Sequence, residues 1–205
     1  MRICAASLPA LAVIACGALT AGCGGSSGGS ATSPTTIAPT TATTRSTTTS
    51  ATGIDRMPGA GTTPVVVRAT NRRTALLTAV RAARHAGYDR VVFQFRNALP
   101  GYDVRYVSRP VHQDGSGRVV PVKGAHVVRI RMENALDADL TKSTAPMTYL
   151  GPRRFSPPTP EIAELVDVGG FEGILTWAAG LHDRVDFRVT TLKAPPRLVV
   201  DFRNH

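Results

Sequence analysis

From Arg90 onward, apolar side chains recur at every second position. Val91, Phe93 and Phe95 alternate with Arg90, Gln94 and Arg96. Tyr102, Val104 and Tyr106 alternate with Asp103 and Arg105, and Val128, Ile130 and Met132 with Arg129, Arg131 and Glu133. A period of two places one set of side chains on a single face of an extended chain, so each run predicts a half-buried strand. The same reading puts Phe171, Leu175, Trp177, Ala179 and Leu181 on one face, followed by Phe187 and Val189. Leu198, Val200 and Phe202 make a last run, with Val199 and Asp201 on its reverse. Between the runs stand Ala86-Gly87-Tyr88-Asp89, Pro100-Gly101, Asp114-Gly115-Ser116-Gly117, His182-Asp183-Arg184 and Ala194-Pro195-Pro196, all with turn chemistry. Short strands punctuated in this way predict an all-β antiparallel sandwich or barrel.

Two stretches break the pattern. Thr74 to His85 is rich in Ala, Leu and Arg, and by residue propensity alone it reads as a helix. Leu136 to Pro160 carries five prolines and little periodicity, which predicts a long surface loop between two halves of the sheet.

The beginning of the chain has a different character. Met1-Arg2 precedes an uncharged apolar run, Ile3 to Leu19, ending in Leu19-Thr20-Ala21-Gly22-Cys23. This is the layout of an export signal, assigned to residues 1–22. It resembles the bacterial lipoprotein signal, which implies cleavage before Cys23 and a diacylglycerol on its sulfur. Thr20 stands where that pattern prefers Leu. Val13-Ile14-Ala15-Cys16 offers a second reading, but cleavage there leaves an apolar region of only about ten residues. An uncleaved anchor is a further alternative; the run falls just short of the roughly 20 residues a spanning helix needs and contains Pro9 and Gly17. Residues 23–64 are Gly/Ser-rich and then Ser/Thr/Pro-rich, with scarcely an aliphatic side chain to bury, so a disordered tether is expected. A flexible coil of about 40 residues spans roughly 35 Å. The folded domain is accordingly assigned to residues 65–205.

Composition narrows what that domain can be. All three cysteines, Cys4, Cys16 and Cys23, precede it, so neither a disulfide within it nor a thiolate metal site is possible. The net charge is +10, and only Lys123, Lys142 and Lys193 among the 24 basic residues are lysine. Arginine forks suit carboxylates and phosphates. Nucleic acid would be the first partner to weigh in a cytosolic chain; the export signal removes it and leaves anionic lipid headgroups and wall polymers, with an arginine content that simply reflects genome composition as the plainer alternative.

Five strings occur in one order: Tyr88-Asp89-Arg90-Val91-Val92-Phe93, Pro100-Gly101-Tyr102, Tyr149-Leu150-Gly151-Pro152-Arg153, Phe171-Glu172-Gly173-Ile174-Leu175-Thr176-Trp177 and Pro196-Arg197-Leu198-Val199-Val200-Asp201. Together they resemble the AMIN-like domain of actinobacterial lipoproteins, which is similar to the AMIN module that targets proteins to the cell envelope. The resemblance spans about Leu76 to Arg203. It implies a compact antiparallel β-sandwich in which Leu77 to His85 is a strand, hairpinned through Gly87, against the helix propensity of that stretch. It also implies a binding role at the envelope, with peptidoglycan or an envelope protein as partner, at the extracytoplasmic face of a membrane reached through the lipid anchor.

The candidate ligand-binding residues are Arg153, Arg154, Tyr149 and Trp177. Trp177 is the sole tryptophan, and its ring could stack on a sugar, although its place on the Leu175 face favours a core role. Arg153 and Arg154 sit beside Tyr149 in the proline-rich loop, where a fork could grip a peptide carboxylate; a solvated basic loop is the plainer alternative. Asp89 reads as a turn former bonded to nearby backbone N–H groups. Catalysis finds little support. Asp114-Gly115-Ser116-Gly117 superficially resembles the surroundings of a catalytic serine but reads as a hairpin loop. The histidines, His85, His112, His126, His182 and His205, lack metal-ligand spacing, and Glu161 and Glu164 fit a short edge element. The expectation is a non-catalytic binding module with no cofactor and no metal. A lipid carrier is the alternative, and a wall hydrolase a more distant one.

Overall fold

The computed structural model describes residues 57–70 and 72–205. The export signal, Cys23 and most of the expected tether lie outside the described residues. Thirteen strands follow one another: β1 (Val65–Val67), β2 (Ala75–His85), β3 (Tyr88–Arg96), β4 (Gly101–Val107), β5 (Val111–His112), β6 (Val119–Val120), β7 (His126–Glu133), β8 (Ala135–Leu136), β9 (Arg154–Phe155), β10 (Ile162–Phe171), β11 (Ile174–Leu181), β12 (Phe187–Lys193) and β13 (Pro196–Arg203).

They form a β-sandwich. One sheet runs β1-β4-β7-β11-β10-β9 and the other β12-β13-β3-β2-β8, while β5 and β6 pair as a separate ribbon. All named pairings are antiparallel except the short β2–β8 contact. The alternation seen in the sequence is the inside and outside of these sheets. Val91, Phe93 and Phe95 meet Leu198, Val200 and Phe202 in one layer, facing Val128, Ile130, Met132, Leu175, Trp177 and Leu181 in the other, all in one cluster of buried side chains. Phe93 meets Trp177 edge to face with centroids 5.8 Å apart, a favoured geometry for two rings of this quadrupole.

β2 is a strand, as the resemblance implies and the propensity of its residues does not. The reason lies in a bulge. Leu77 pairs with Phe95 and Ala79 with Gln94, leaving Thr78 as the extra residue, whose hydroxyl donates to the Gln94 carbonyl at 3.0 Å. The bulge makes Leu77 and Val80, three positions apart, both face the core. That spacing imitates a helical stripe, and sheet pairing with β3 outweighs the intrinsic preference of Ala and Arg.

Phe171 departs from the sequence reading. Glu172 and Gly173 both have positive φ, 49° and 78°, and form a two-residue hairpin turn that separates Phe171 from β11. Phe171 therefore ends β10 with 48% of its surface exposed instead of joining the core face. Asp89 also differs. It is fully buried and accepts from the Glu161 backbone N–H at 2.7 Å and from the Asn204 side chain at 2.6 Å, so it ties three distant segments together and does not cap its own turn.

The folded body begins before residue 65. Met57 is 1% exposed, and Gly61 exchanges two backbone hydrogen bonds with Phe187 at 3.0 and 2.9 Å. The chain thus leaves the edge of β12 and then adds β1 to β4 at the edge of the opposite sheet. Composition had placed these residues in the tether because a single Met among Gly, Pro and Thr carries no periodic signal.

A small second core lies outside the sandwich. Val111 and Val122 flank the β5–β6 ribbon and pack with Val127, Val166, Val168 and Ala178 on the outer face of the six-stranded sheet. Gly180 makes this docking possible: a methyl group there would overlap the Lys123 carbonyl oxygen.

Candidate binding surface

The four residues singled out in the sequence separate into two pairs. Trp177 is 1% and Tyr149 3% exposed, with their rings in edge-to-face contact at 5.8 Å. The Tyr149 hydroxyl donates to the Pro152 carbonyl at 2.7 Å, and burial pushes its phenol above the ordinary value of 10.0. Neither ring offers a face to a sugar. Both belong to the core because β11 is an inner strand and the proline-rich loop folds Tyr149 back over Trp177.

Arg153 and Arg154 stand at the sheet rim, about half exposed, with Arg154 opening β9. Arg153 bridges Asp137, at 2.6 Å, and Asp167. Its hydrogen bond to Asp137, with help from Asp167, raises its affinity for its proton. Asp167 is raised by burial, an effect that Arg153 opposes. Arg154 donates to Glu164 at 2.6 Å and to the Pro121 carbonyl at 2.9 Å. The forks are thus occupied by internal acceptors, holding β9 to β10 and to the β6 ribbon. A cleft of about 360 Å³ does border Arg154, Arg118 and Gln113.

The loop from Leu136 onward is itself ordered. Thr148 donates to the Leu77 carbonyl at 2.7 Å, and Ala138 pairs with Met147. These contacts shape a second cleft of about 580 Å³ at one end of the sandwich, and here the unspent charge collects. Arg72 and Arg73 come from the lead into β2, Arg96 from the end of β3, and Lys142 from the loop. Its one acidic side chain is Asp139. That carboxylate accepts from the Thr141 hydroxyl at 2.5 Å and from Arg96 at 3.2 Å, and the Thr141 bond holds its pKa below the usual range. Asp139 therefore stays ionised, and its charge acts on both Lys142 and Arg96. Among the described residues, no hydrogen bond or ion pair satisfies the Arg72 or Arg73 side chain, and Lys142 meets only the more distant charge of Asp139.

Asn97, at φ 76°, turns the chain between this cleft and a neighbouring one of about 380 Å³. In the neighbour, Arg68 and Lys193 flank an apolar floor that includes Leu99, Pro100, Tyr102 and Pro196. Among the described residues, the two clefts are together lined by six cations and a single carboxylate. Sequence reasoning missed this grouping because its members come from segments as far apart as residues 68 and 193. The Arg72-Arg73 doublet was the only local sign.

The serine-containing loop is the hairpin between β5 and β6. Gly117 N–H donates to the Gln113 carbonyl at 3.0 Å, the Ser116 hydroxyl to Gln113 at 2.9 Å, and Thr176 to Asp114 at 2.7 Å. Ser116 thus bonds an amide, not a histidine base. Among the described residues, no three His, Cys, Asp or Glu side chains gather as a metal site. Binding of anions is what the arrangement is equipped to do.

No curated protein and no solved structure matches the chain. A family model does: that of the AMIN-like domain, over residues 75–204, which takes in every strand from β2 to β13. The chain belongs to the AMIN-like domain family.

Proposed function

We propose that the protein is a non-catalytic envelope lipoprotein, anchored through lipid on Cys23 to the extracytoplasmic face of the membrane, whose AMIN-like domain binds peptidoglycan or an envelope protein. Membership of the family supports a binding role at the envelope. The observation that carries the reading on this chain is the basic end of the sandwich, where Arg72, Arg73, Arg96 and Lys142 line an open cleft against the single carboxylate of Asp139. The tether that follows Cys23 would hold the domain off the membrane and within reach of the wall.

The interior speaks against a lipid carrier. Phe93, Phe95, Trp177, Phe187 and Phe202 fill the space between the sheets, each at 2% exposure or less. A cavity for an acyl chain would require those rings to leave a close-packed core.

Co-sedimentation with insoluble peptidoglycan, at low and at physiological salt, tests the proposal. Exposed charge attraction is screened by salt, whereas a shaped site persists. Retention at physiological salt is expected. Absence of retention at either salt removes peptidoglycan as the ligand, and failure to capture an envelope protein by cross-linking on cells would then remove the binding role. Replacing Cys23 with Ser is expected to release the protein from the membrane fraction.

A further inference from the structure

We infer that the cleft between the β2 lead, the end of β3 and the 139–142 turn is a phosphoryl-binding socket, so that the ligand of this domain carries phosphate groups. The inference rests on the binding role proposed above and names the chemistry its site would take.

Three features of the cleft select phosphate among anions. First is the count of charge: Arg72, Arg73, Arg96 and Lys142 stand against the single carboxylate of Asp139, which leaves a net of three positive charges around about 580 Å³. One carboxylate would neutralise a single one, whereas a phosphate monoester or a short run of phosphodiesters carries two or more. Second is direction. The cations arrive from three separate chain segments. The oxygens of a tetrahedral phosphoryl group accept from several sides, while the two oxygens of a carboxylate lie along one edge and suit a single fork. Third is preorganisation. Asp139 is fixed by Thr141 and in turn fixes one nitrogen of Arg96, leaving the other guanidinium donors of that residue for a ligand. Arg68 and Lys193, across Asn97, continue the positive track into the second cleft. A ligand with successive phosphoryl groups could follow it.

The test uses the full chain, titrated calorimetrically with tripolyphosphate, with citrate as a carboxylate probe of similar charge, both at physiological salt. Tripolyphosphate is expected to bind about ten-fold more tightly than citrate, and Arg72→Ser with Arg73→Ser to weaken it by about ten-fold or more. Arg118→Ser, on the β5–β6 ribbon, should leave it unchanged, and Arg72→Lys with Arg73→Lys should restore part of it, because lysine binds phosphate as a point charge. An unchanged melting temperature in the serine variant shows that the fold is intact. Equal affinity for citrate, no binding of tripolyphosphate, or equal losses from the Arg118 variant and the doublet variant would each overturn the inference. Vesicles with and without phosphatidylglycerol then identify the source. Capture that depends on both the anionic lipid and Arg72/Arg73 assigns a headgroup, and tripolyphosphate binding without such capture assigns a phosphorylated polymer. Wall retention without tripolyphosphate binding would sink the phosphoryl assignment alone, whereas tripolyphosphate binding without wall retention would count against peptidoglycan and not against the socket.

Discussion

Replacing Asp89 with Ala is expected to destabilise the domain by about 3 kcal/mol, although the side chain touches no solvent and lies far from the basic clefts. The carboxylate is fully buried near the start of β3. It accepts from Glu161 N–H at 2.7 Å, Asn204 Nδ2 at 2.6 Å and, more weakly, Ile162 N–H at 3.4 Å. Hydrogen bonds to a charged acceptor contribute roughly 1.5–3 kcal/mol each, so the two short ones together are worth about 3–6 kcal/mol. Relief of the cost of burying the carboxylate offsets part of that. That offset brings the expected loss to the lower end of the range, near 3 kcal/mol, with water serving the orphaned Glu161 and Asn204 donors. For a domain of this size the melting temperature should fall by roughly 6–12 °C. Urea unfolding followed by circular dichroism measures the free energy directly. Asp89→Asn should also be costly, because its amide would face the Asn204 amide, which already donates to the His85 carbonyl at 3.2 Å. A loss below about 1 kcal/mol in both variants would refute the claim that Asp89 pins the C-terminus and the start of β10 to β3.

Further outcomes follow from other particular contacts. Gly180→Ala should cost about 1–3 kcal/mol or more and loosen the β5–β6 ribbon, seen as faster amide exchange at Val111 and Val120, since the added methyl meets backbone at Lys123. Arg153→Ala should cost about 1 kcal/mol near neutral pH by leaving Asp167, 6% exposed, without its cation. That loss should shrink as pH falls through the carboxylate range, because burial raises the Asp167 pKa and the protonated acid needs no partner. The phenols of Tyr102, Tyr106 and Tyr149 are all raised by burial, so the folded state holds their protons more tightly than the unfolded chain. Stability should therefore be unaffected by these groups below their ordinary value of 10.0 and decline as pH rises above it, with Tyr149→Phe reducing the slope in alkaline denaturant titrations.

Periodicity by itself determined the all-β class, the inner faces of β3, β4, β7 and β13, and most of the turns, because a period of two is a local property of an extended chain. Trp177 was readable as core from its place beside Leu175, and the family was readable from short strings whose order survives without any fold. Their meaning came later: Asp89 and Asp201 end up fully buried, Asp201 between Arg90 and Arg188 at 2.7 and 2.8 Å, and neither partnership is local to its string. Tertiary structure alone decided the identity of β2, since a bulge at Thr78 gave a strand the spacing of a helix and pairing with β3 overrode propensity. It also buried Met57 and paired Gly61 with Phe187, ahead of residue 65, and moved the candidate site. Arg153 and Arg154 looked free in sequence because their acceptors, Asp137, Asp167, Glu164 and the Pro121 carbonyl, come from other parts of the chain. Arg72, Arg73, Arg96 and Lys142 looked unrelated because nothing but the folding of β2, β3 and the 139–142 turn brings them to one cleft. Burial and charge compensation are sums over neighbours in space, and most of those neighbours are remote along the chain.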